Sequence, residues 1–340
     1  MDEVLVTGGS GYIGSHTVVE LINAGYQPIV VDDFRNSKPF ILDRLAEITN
    51  QAIIHYPVNC NDKKAIQSVF KLHPKIKSVI HFAADKAVGE SVDLPLKYYQ
   101  NNLNSLTVIL DVMHEFRVPH LVFSSSCTVY GEPDQPIVNE QIPIQQATSP
   151  YGDTKIIGEK IIEFTAKAQQ SFNSALLRYF NPIGAHESGL IGELPQGIPN
   201  NLVPYLTQTA KGIRKELTVY GNDYPTADGT CIRDYIHVVD LAKAHVKAIS
   251  WLKKSEVGAV EAFNIGTGKG SSVKEIIDTF AAVNQIDVPH TYGARREGDV
   301  IQIYANPNKA KNELEWEAKY TLADSLKHAW AWEKNIENYA

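Results

Sequence analysis

Tyr151 and Lys155 lie four residues apart in SPYGDTKIIGEKIIEF, a spacing that on a helix brings their Cβ atoms to about 5–6 Å on one face. A phenol with an ordinary pKa of about 10 is a poor base at neutral pH, and an ammonium beside it favours the phenolate. A hydroxyl from Ser126 or Thr128 is placed to hold a substrate oxygen alongside. Of the 16 tyrosines only this one has lysine four residues on. The plain alternative is an amphipathic helix with a snorkelling lysine.

A second constellation lies at the start of the chain. The run Val4-Leu5-Val6 enters a glycine cluster, with Gly8, Gly11 and Gly14 leading into helical spacing from Tyr12 and Ile13. Strand, tight turn and helix in that order suit a backbone that bends sharply and approaches a diphosphate, with amides and helix dipole facing its charge. Eighteen residues past Gly14, the strand Pro28-Ile29-Val30-Val31 ends at Asp32. A carboxylate there accepts hydrogen bonds from adenosine ribose hydroxyls. Arg35 and Lys38 follow, but Asp32 would repel a 2′-phosphate, so NAD is expected rather than NADP.

The elements that must position these residues alternate. Helical spacing near 62–72, 97–117 and from 151 onward separates the apolar runs Ser78–Phe82, Leu121–Phe123 and Ala175–Tyr179. The pattern predicts an α/β fold: a Rossmann-type doubly wound parallel sheet, with ligand-lining loops at the strands' carboxyl ends. Those loops include Phe82, Ala83 and Ala84, and Ser124 to Ser126. After Phe180 the alternation loosens into proline- and glycine-rich stretches, read as a smaller mixed α/β C-terminal substrate lobe. The expected division is an NAD-binding domain over 1–180 and a mainly substrate-binding lobe over 181–340, with segments near 235–262 returning to the first. NIGTGKGSS from Asn264 has the look of a phosphate loop but lacks the required spacing, and reads as a strand-to-helix turn.

Composition excludes several classes. With 340 residues, 44% of them apolar, the chain can build a large core. A net charge of -7 offers no field for nucleic acid. Three scattered cysteines, Cys60, Cys127 and Cys231, form no metal-ligand pattern and suit free thiols in a reducing compartment. No segment reads as a membrane span or export signal, so a cytoplasmic protein with no resident metal is expected.

Taken together, TGGSGYIGSHT, HFAADKAVGES, FSSSCTVYG, SPYGDTK, RYFNPIGAH, PQGIPNNL, YGNDYPTADGT, RDYIHV and RREGD resemble, in order, the extended short-chain dehydrogenase/reductase family over nearly the whole chain. The resemblance implies an enzyme that holds NAD tightly and inverts carbon 4 of a UDP-hexose, interconverting UDP-galactose and UDP-glucose through a transient 4-keto sugar. It implies a catalytic set of Ser126, Tyr151 and Lys155. The implied cofactor set is Gly8, Gly11, Tyr12, Ile13, Gly14, Asp32, Asn36, Ser37, Asn59, Cys60, Phe82, Ala83, Ala84, Lys86, Asn101, Ser126, Tyr151, Lys155 and Phe180. The implied UDP-sugar set is Lys86, Ser126, Tyr151, Asn181, Asn201, Leu202, Val219, Tyr220, Arg233, Arg296 and Asp299. A homodimer through the helices near 97–117 and 151–169 is also implied.

Three residues depart from the family pattern. Asn59 stands where aspartate is usual, leaving an uncharged amide oxygen to accept from the adenine amino group. Ala84 stands where some members have glycine. Ile303 is intermediate between the bulky aromatic associated with exclusion of N-acetylated sugars and the small residue associated with their acceptance, so UDP-N-acetylhexosamines stay open as substrates. Related dehydratases carry Asp-Glu after the active-site threonine, whereas Ser126-Cys127-Thr128 brings no carboxylate. Elimination activity is not expected. Intact Ser126, Tyr151 and Lys155 argue against a cofactor-binding regulator without chemistry.

Overall fold

The computed structural model describes residues 1–169, 171–296 and 299–336. Its centre is a seven-stranded sheet, ordered Val260–Ile265, Asn173–Tyr179, His120–Ser124, Ile76–His81, Glu3–Thr7, Gln27–Val31, Ile54–Tyr56. Every pairing is parallel. Strands covered on both faces have no polar side to present, which is why Val4–Val6 and Ile29–Val31 are continuous apolar runs. One core lies between the sheet and the helices Tyr12–Asn23, Phe40–Thr49 and Val238–Leu252. Another lies beneath Lys63–Leu72, Asn104–Glu115 and Pro150–Ala168. The doubly wound parallel fold predicted from alternation is thus observed.

Strand order reverses between Glu3–Thr7 and Ile76–His81. In an open parallel sheet a crevice forms outside the carboxyl ends at such a point. The glycine turn after Thr7 and the Phe82–Ala84 turn flank it, with Phe82 N–H donating to the Thr7 carbonyl at 3.1 Å. The strand Val260–Ile265 and the helix Val238–Leu252 extend the central sheet and its helical layer from late in the chain. The remaining C-terminal segments, joined by the strand Ile137–Val138, form three small sheets and a separate core around Leu206, Ile276, Phe280 and Leu326.

The helix expected over 97–117 is broken. A turn of helix at Pro95–Tyr98 passes through a π-helical turn, Tyr99–Leu103, before the regular helix Asn104–Glu115. The cause is tertiary. Asn102 donates its Nδ2 to the Asp85 carbonyl at 3.0 Å and accepts from the Asp85 amide at 2.8 Å, pinning the widened turn to the crevice wall. Such turns recur at functional sites, and this one carries Asn101.

The Pro150–Ala168 helix starts on a Ser149 cap, whose Oγ accepts from the Gly152 amide at 3.2 Å, with Pro150 at the first position. Gly158 permits close packing: a Cβ there would stand 2.9 Å from the Phe123 ring. The helix is locked to the sheet by a buried ion pair, in which Arg178 donates to both Glu159 oxygens at 3.0 and 2.6 Å. Arg178→Met strands that carboxylate without its cation and lowers the unfolding free energy by about 3–5 kcal/mol. Denaturant titration measures the loss, and a change below about 1 kcal/mol contradicts this account of the pair.

Candidate active site

A continuous cleft of about 1050 Å³ follows the carboxyl ends of the strands. It exceeds the roughly 300–1,000 Å³ typical of a site for one small ligand. The glycine turn forms one end. Gly8 has φ +69°, in the left-handed region. A Cβ on Gly14 would stand 2.1 Å from the Gly8 carbonyl oxygen, so the helix can pack this close to the turn only without a side chain there. No side chain caps the Tyr12–Asn23 helix and no acidic residue occupies its first turn. Its leading amides are therefore available to an anion. Ser10 Oγ, buried on the cleft wall, has no partner.

Asp32 closes this end. Its Oδ2 accepts from the Ser10 amide at 3.0 Å, and its Oδ1 accepts from the Phe34 amide and the Ser37 hydroxyl, both at 2.9 Å. A carboxylate offers about four acceptor positions, so one remains on Oδ2. Burial lifts its carboxyl above the ordinary range, against the pull of these three bonds. Phe34 is held at φ +59°, unusual for a bulky residue and a sign of strain kept at a ligand site. An uncapped helix, a side-chain-free cradle and a carboxylate with one free acceptor position fit a dinucleotide such as NAD.

Farther along this wall, Asn101 Oδ1 accepts from Arg35 Nη1 at 2.9 Å and from Asn61 Nδ2 at 2.8 Å. Arg35 also donates its Nε to Asp33 at 2.7 Å, so its charge is matched. Asn59 Oδ1 accepts from the Asn61 backbone amide at 2.9 Å and side chain at 3.1 Å, so an adenine amino group would compete with Asn61 for it.

Tyr151 and Lys155 line the middle of the cleft. The Ser126 hydroxyl accepts from the Thr128 amide at 3.2 Å and stands near enough to the Tyr151 phenol to favour its ionised form. Lys155 Nζ donates to the Ser124 carbonyl at 2.7 Å and lies 5.7 Å from the centre of the Tyr151 ring. Burial pushes the phenol well above its ordinary value, with Tyr179 adding to the effect and Ser126 opposing it. It lowers the Lys155 ammonium to about 8, against the pull of Glu159. In the protein alone desolvation is the larger influence on the phenol, and one of the three Lys155 N–H donors is given to the Ser124 carbonyl.

Many of the expected residues line this one cleft: Gly8, Gly11, Tyr12, Ile13, Gly14, Asp32, Asn36, Ser37, Asn59, Cys60, Phe82, Ala83, Ala84, Lys86, Asn101, Tyr151, Lys155, Asn201 and Arg296. Lys86 Nζ and Asn201 Nδ2 both donate to Glu193 Oε1, at 3.2 and 2.7 Å, forming a bridge across the opening. Leu202 begins a helix that Asn201 does not cap. Arg296 stacks on the Tyr220 ring at 4.3 Å, and Arg233 donates to Asp299 at 2.5 Å. Leu202, Tyr220, Arg233, Asp299 and Asn181 are not part of the cleft wall proper. Glu297 and Gly298 of RREGD lie outside the described residues.

Other expected residues point inward. Val219 is buried in the C-terminal core. Phe180 and Ile303 pack with Val129, Tyr130 and Ile156 in a core of their own, so neither side chain reaches the cleft wall. The neighbouring Tyr179 does, pairing its hydroxyl with Ser124 Oγ at 2.6 Å. Asn173–Arg178 is buried on both faces, so no alternation along the strand marked Tyr179 out. Glu193 had no signal either, because it acts through partners more than a hundred residues away and in its own loop. In the GTGKG turn, Asp234 accepts from the Thr267 and Gly268 amides at 2.9 and 3.0 Å and from the Thr267 hydroxyl at 2.7 Å. A carboxylate of the chain itself fills this glycine turn.

Comparison with known proteins agrees over the whole chain. The family model described as GDP-mannose 4,6 dehydratase matches residues 5–329. A UDP-glucose 4-epimerase of Bacillus subtilis (strain 168) is 50% identical over 337 residues, covering 99% of this chain and 98% of the relative. One from Mus musculus is 48% identical over 340 residues, covering 98% and 97%. The crystal structure of a UDP-glucose 4-epimerase from Stenotrophomonas maltophila, with bound NAD and formylated UDP-arabinopyranose, superposes with a TM-score of 0.97 at 42% identity over 100% of both chains. That of Bifidobacterium longum, with NAD+ and UDP, gives 0.94 at 45% identity over 99% of both.

Gly14→Ala tests the cradle. Its Cβ meets backbone oxygen rather than a side chain that can swing away, so the turn must open. Calorimetric affinity for NAD is expected to fall at least about 100-fold, some 2.8 kcal/mol at 1.4 kcal/mol per decade. Unchanged affinity rules out the turn as the diphosphate site.

Proposed function

The chain belongs to the UDP-glucose 4-epimerases of the extended short-chain dehydrogenase/reductase family, and on that premise we propose that it interconverts UDP-galactose and UDP-glucose by inverting carbon 4 of the hexose. The observation that carries this reading is the placement of Tyr151, Lys155 and Asp32 along one cleft that begins at the glycine turn. Bound NAD would supply the reversible hydride-transfer chemistry that inversion at carbon 4 requires. The glycine turn, the uncapped helix and Asp32 would hold it. In this reading the protein's task is to place the sugar, move one proton and exclude water.

Tyr151 takes the proton of the 4-hydroxyl and gives it back, while Ser126 holds the same oxygen. Lys155 keeps a positive charge beside the phenol as that proton leaves. Asn201, Leu202, Arg233, Arg296 and Asp299 serve the UDP portion: the uncapped helix from Leu202 offers amides to the diphosphate, and the arginines offer planar donors. The absence of a carboxylate at Ser126-Cys127-Thr128 supports epimerisation over elimination.

We also read the protein as a homodimer. The segments Val88–Asp93 and Pro95–Tyr98 pack on the Pro150–Ala168 helix, and Val92, Leu94, Leu96 and Phe164 are left exposed there. The unpaired thiols of Cys60, Cys127 and Cys231 support a cytoplasmic setting. No helix among the described residues is long and apolar enough to cross a membrane.

Purified protein incubated with UDP-galactose, without added NAD, is expected to yield UDP-glucose, and UDP-N-acetylgalactosamine in parallel reports whether N-acetylated sugars are accepted. Tyr151→Phe lowers kcat by about 10²–10⁴-fold with NAD still bound. Turnover at the parental rate would remove Tyr151 as the base.

Lys155 adds a pH dependence. Its folded value, about 8, lies below the ordinary 10.5. Between those values the unfolded chain binds the extra proton, so this group's contribution to stability rises with pH. The ammonium used in the reaction is lost over the same interval. A kcat/KM profile is therefore expected to fall with a midpoint near pH 8 while circular dichroism still reports a folded protein; a flat profile to pH 10 contradicts the role of Lys155.

A further inference from the structure

Three serines follow one another at the end of the His120–Ser124 strand, and each has a different partner. The Ser124 carbonyl accepts from Lys155 at 2.7 Å. Ser126 stands near the Tyr151 phenol and favours its ionised form. Between them Ser125, with no exposed surface, donates its hydroxyl to Glu159 Oε1 at 2.5 Å. Tyr151, Lys155 and Glu159 are spaced by four along one helix, so they stand above one another on the face turned to the serines.

We infer that Ser125 and Glu159 are positioning residues for the epimerisation, anchoring the middle of the serine loop to the tyrosine helix so that Ser126 meets Tyr151 and the Ser124 carbonyl meets Lys155. The inference rests on the proposed function. Helix and loop touch at three matched points, and neighbouring peptide units cannot shift independently because each has only two soft dihedrals. Hydrogen bonds to a carboxylate or from an ammonium are roughly twice as strong as neutral ones, so the Ser125 and Lys155 contacts are both firm.

Glu159 is itself immobile. Arg178 grips both of its oxygens, and the guanidinium is braced by Nη1 donating to the Tyr130 hydroxyl at 3.1 Å. Tyr130 in turn donates to Asn264 Oδ1 at 2.6 Å. An ion pair needed only for stability would not require a hydroxyl at residue 125. That hydroxyl extends the rigidity of the sheet to the loop bearing Ser126.

The same carboxylate acts on the charge of Lys155. Around the ammonium stand Tyr151 on its own helix, Tyr179 and Ser124 on adjacent strands, and His81 on the Ile76–His81 strand, whose imidazole burial keeps neutral at about 3. Glu159 supplies the favourable negative charge.

Ser125→Ala tests the inference because it leaves the Glu159–Arg178 pair intact. In the holoenzyme, kcat for UDP-galactose is expected to fall about tenfold to hundredfold, the scale of a displacement near 1 Å, with KM little changed. The alkaline titration of Tyr151, read by ultraviolet difference against a Tyr151→Phe blank, is expected to shift, and Ser125→Thr to restore most of the activity. A Ser125→Ala enzyme with parental kcat and parental titration overturns the inference, as does an activity loss that merely follows the fraction unfolded in a thermal melt. If the parent protein turns over no UDP-hexose, the functional reading fails. The Tyr151 titration then decides the anchoring alone, and an unchanged curve in Ser125→Ala rejects it.

Discussion

A carboxylate with no exposed surface and a guanidinium nearly as buried face each other between the Pro150–Ala168 helix and the Asn173–Tyr179 strand. Burying either charge alone costs several kcal/mol, so Glu159 and Arg178 must stay together, and keeping them together fixes helix to sheet. Burial opposes the charge of Arg178, yet the Glu159 carboxylate holds its guanidinium above an already high value. Tyr151 and Lys155 ride on that helix, and the serine loop grows from the adjacent strand. The geometry of the candidate centre thus depends on an ion pair that never touches a ligand.

Two glycine-rich turns follow strands of the central sheet and meet different fates. At Gly8–Gly14 the helix is uncapped, no acidic residue enters its first turn, and a buried hydroxyl lacks a partner. At Gly266–Gly270 the amides are taken by Asp234, and a Cβ on Gly266 would stand 2.5 Å from that carboxylate. The helix after this second turn is closed by a capping box of Ser272 and Glu275. Backbone shape alone makes both turns candidates for an anion. The neighbouring side chains leave only the first open.

Burial and charge pull against each other in the cleft, and burial prevails on the protein's own groups. The phenol of Tyr151 is pushed up and the ammonium of Lys155 down, both towards neutral forms. His16 and His81 are likewise held neutral, at about 3. Low dielectric that suppresses these charges also magnifies any charge a ligand brings, so a site that is reluctant to ionise alone responds strongly when filled.

By itself the sequence determined the parallel sheet, the glycine turn, the carboxylate at Asp32 and the four-residue step from Tyr151 to Lys155, because each follows from periodicity or spacing within a short stretch. It could not determine that the helix beyond Pro95 opens into a π turn, since Asp85 and Asn102 impose that across 17 residues. Nor could it tell Tyr179 from Phe180, adjacent aromatics of which one lines the cleft and the other enters a core. Asn59 reads as a free acceptor in one dimension and already accepts from Asn61 in three. Tertiary structure alone decided these points, for one reason: a polar atom's availability depends on which other groups reach it first, and long-range contacts leave no period in the chain.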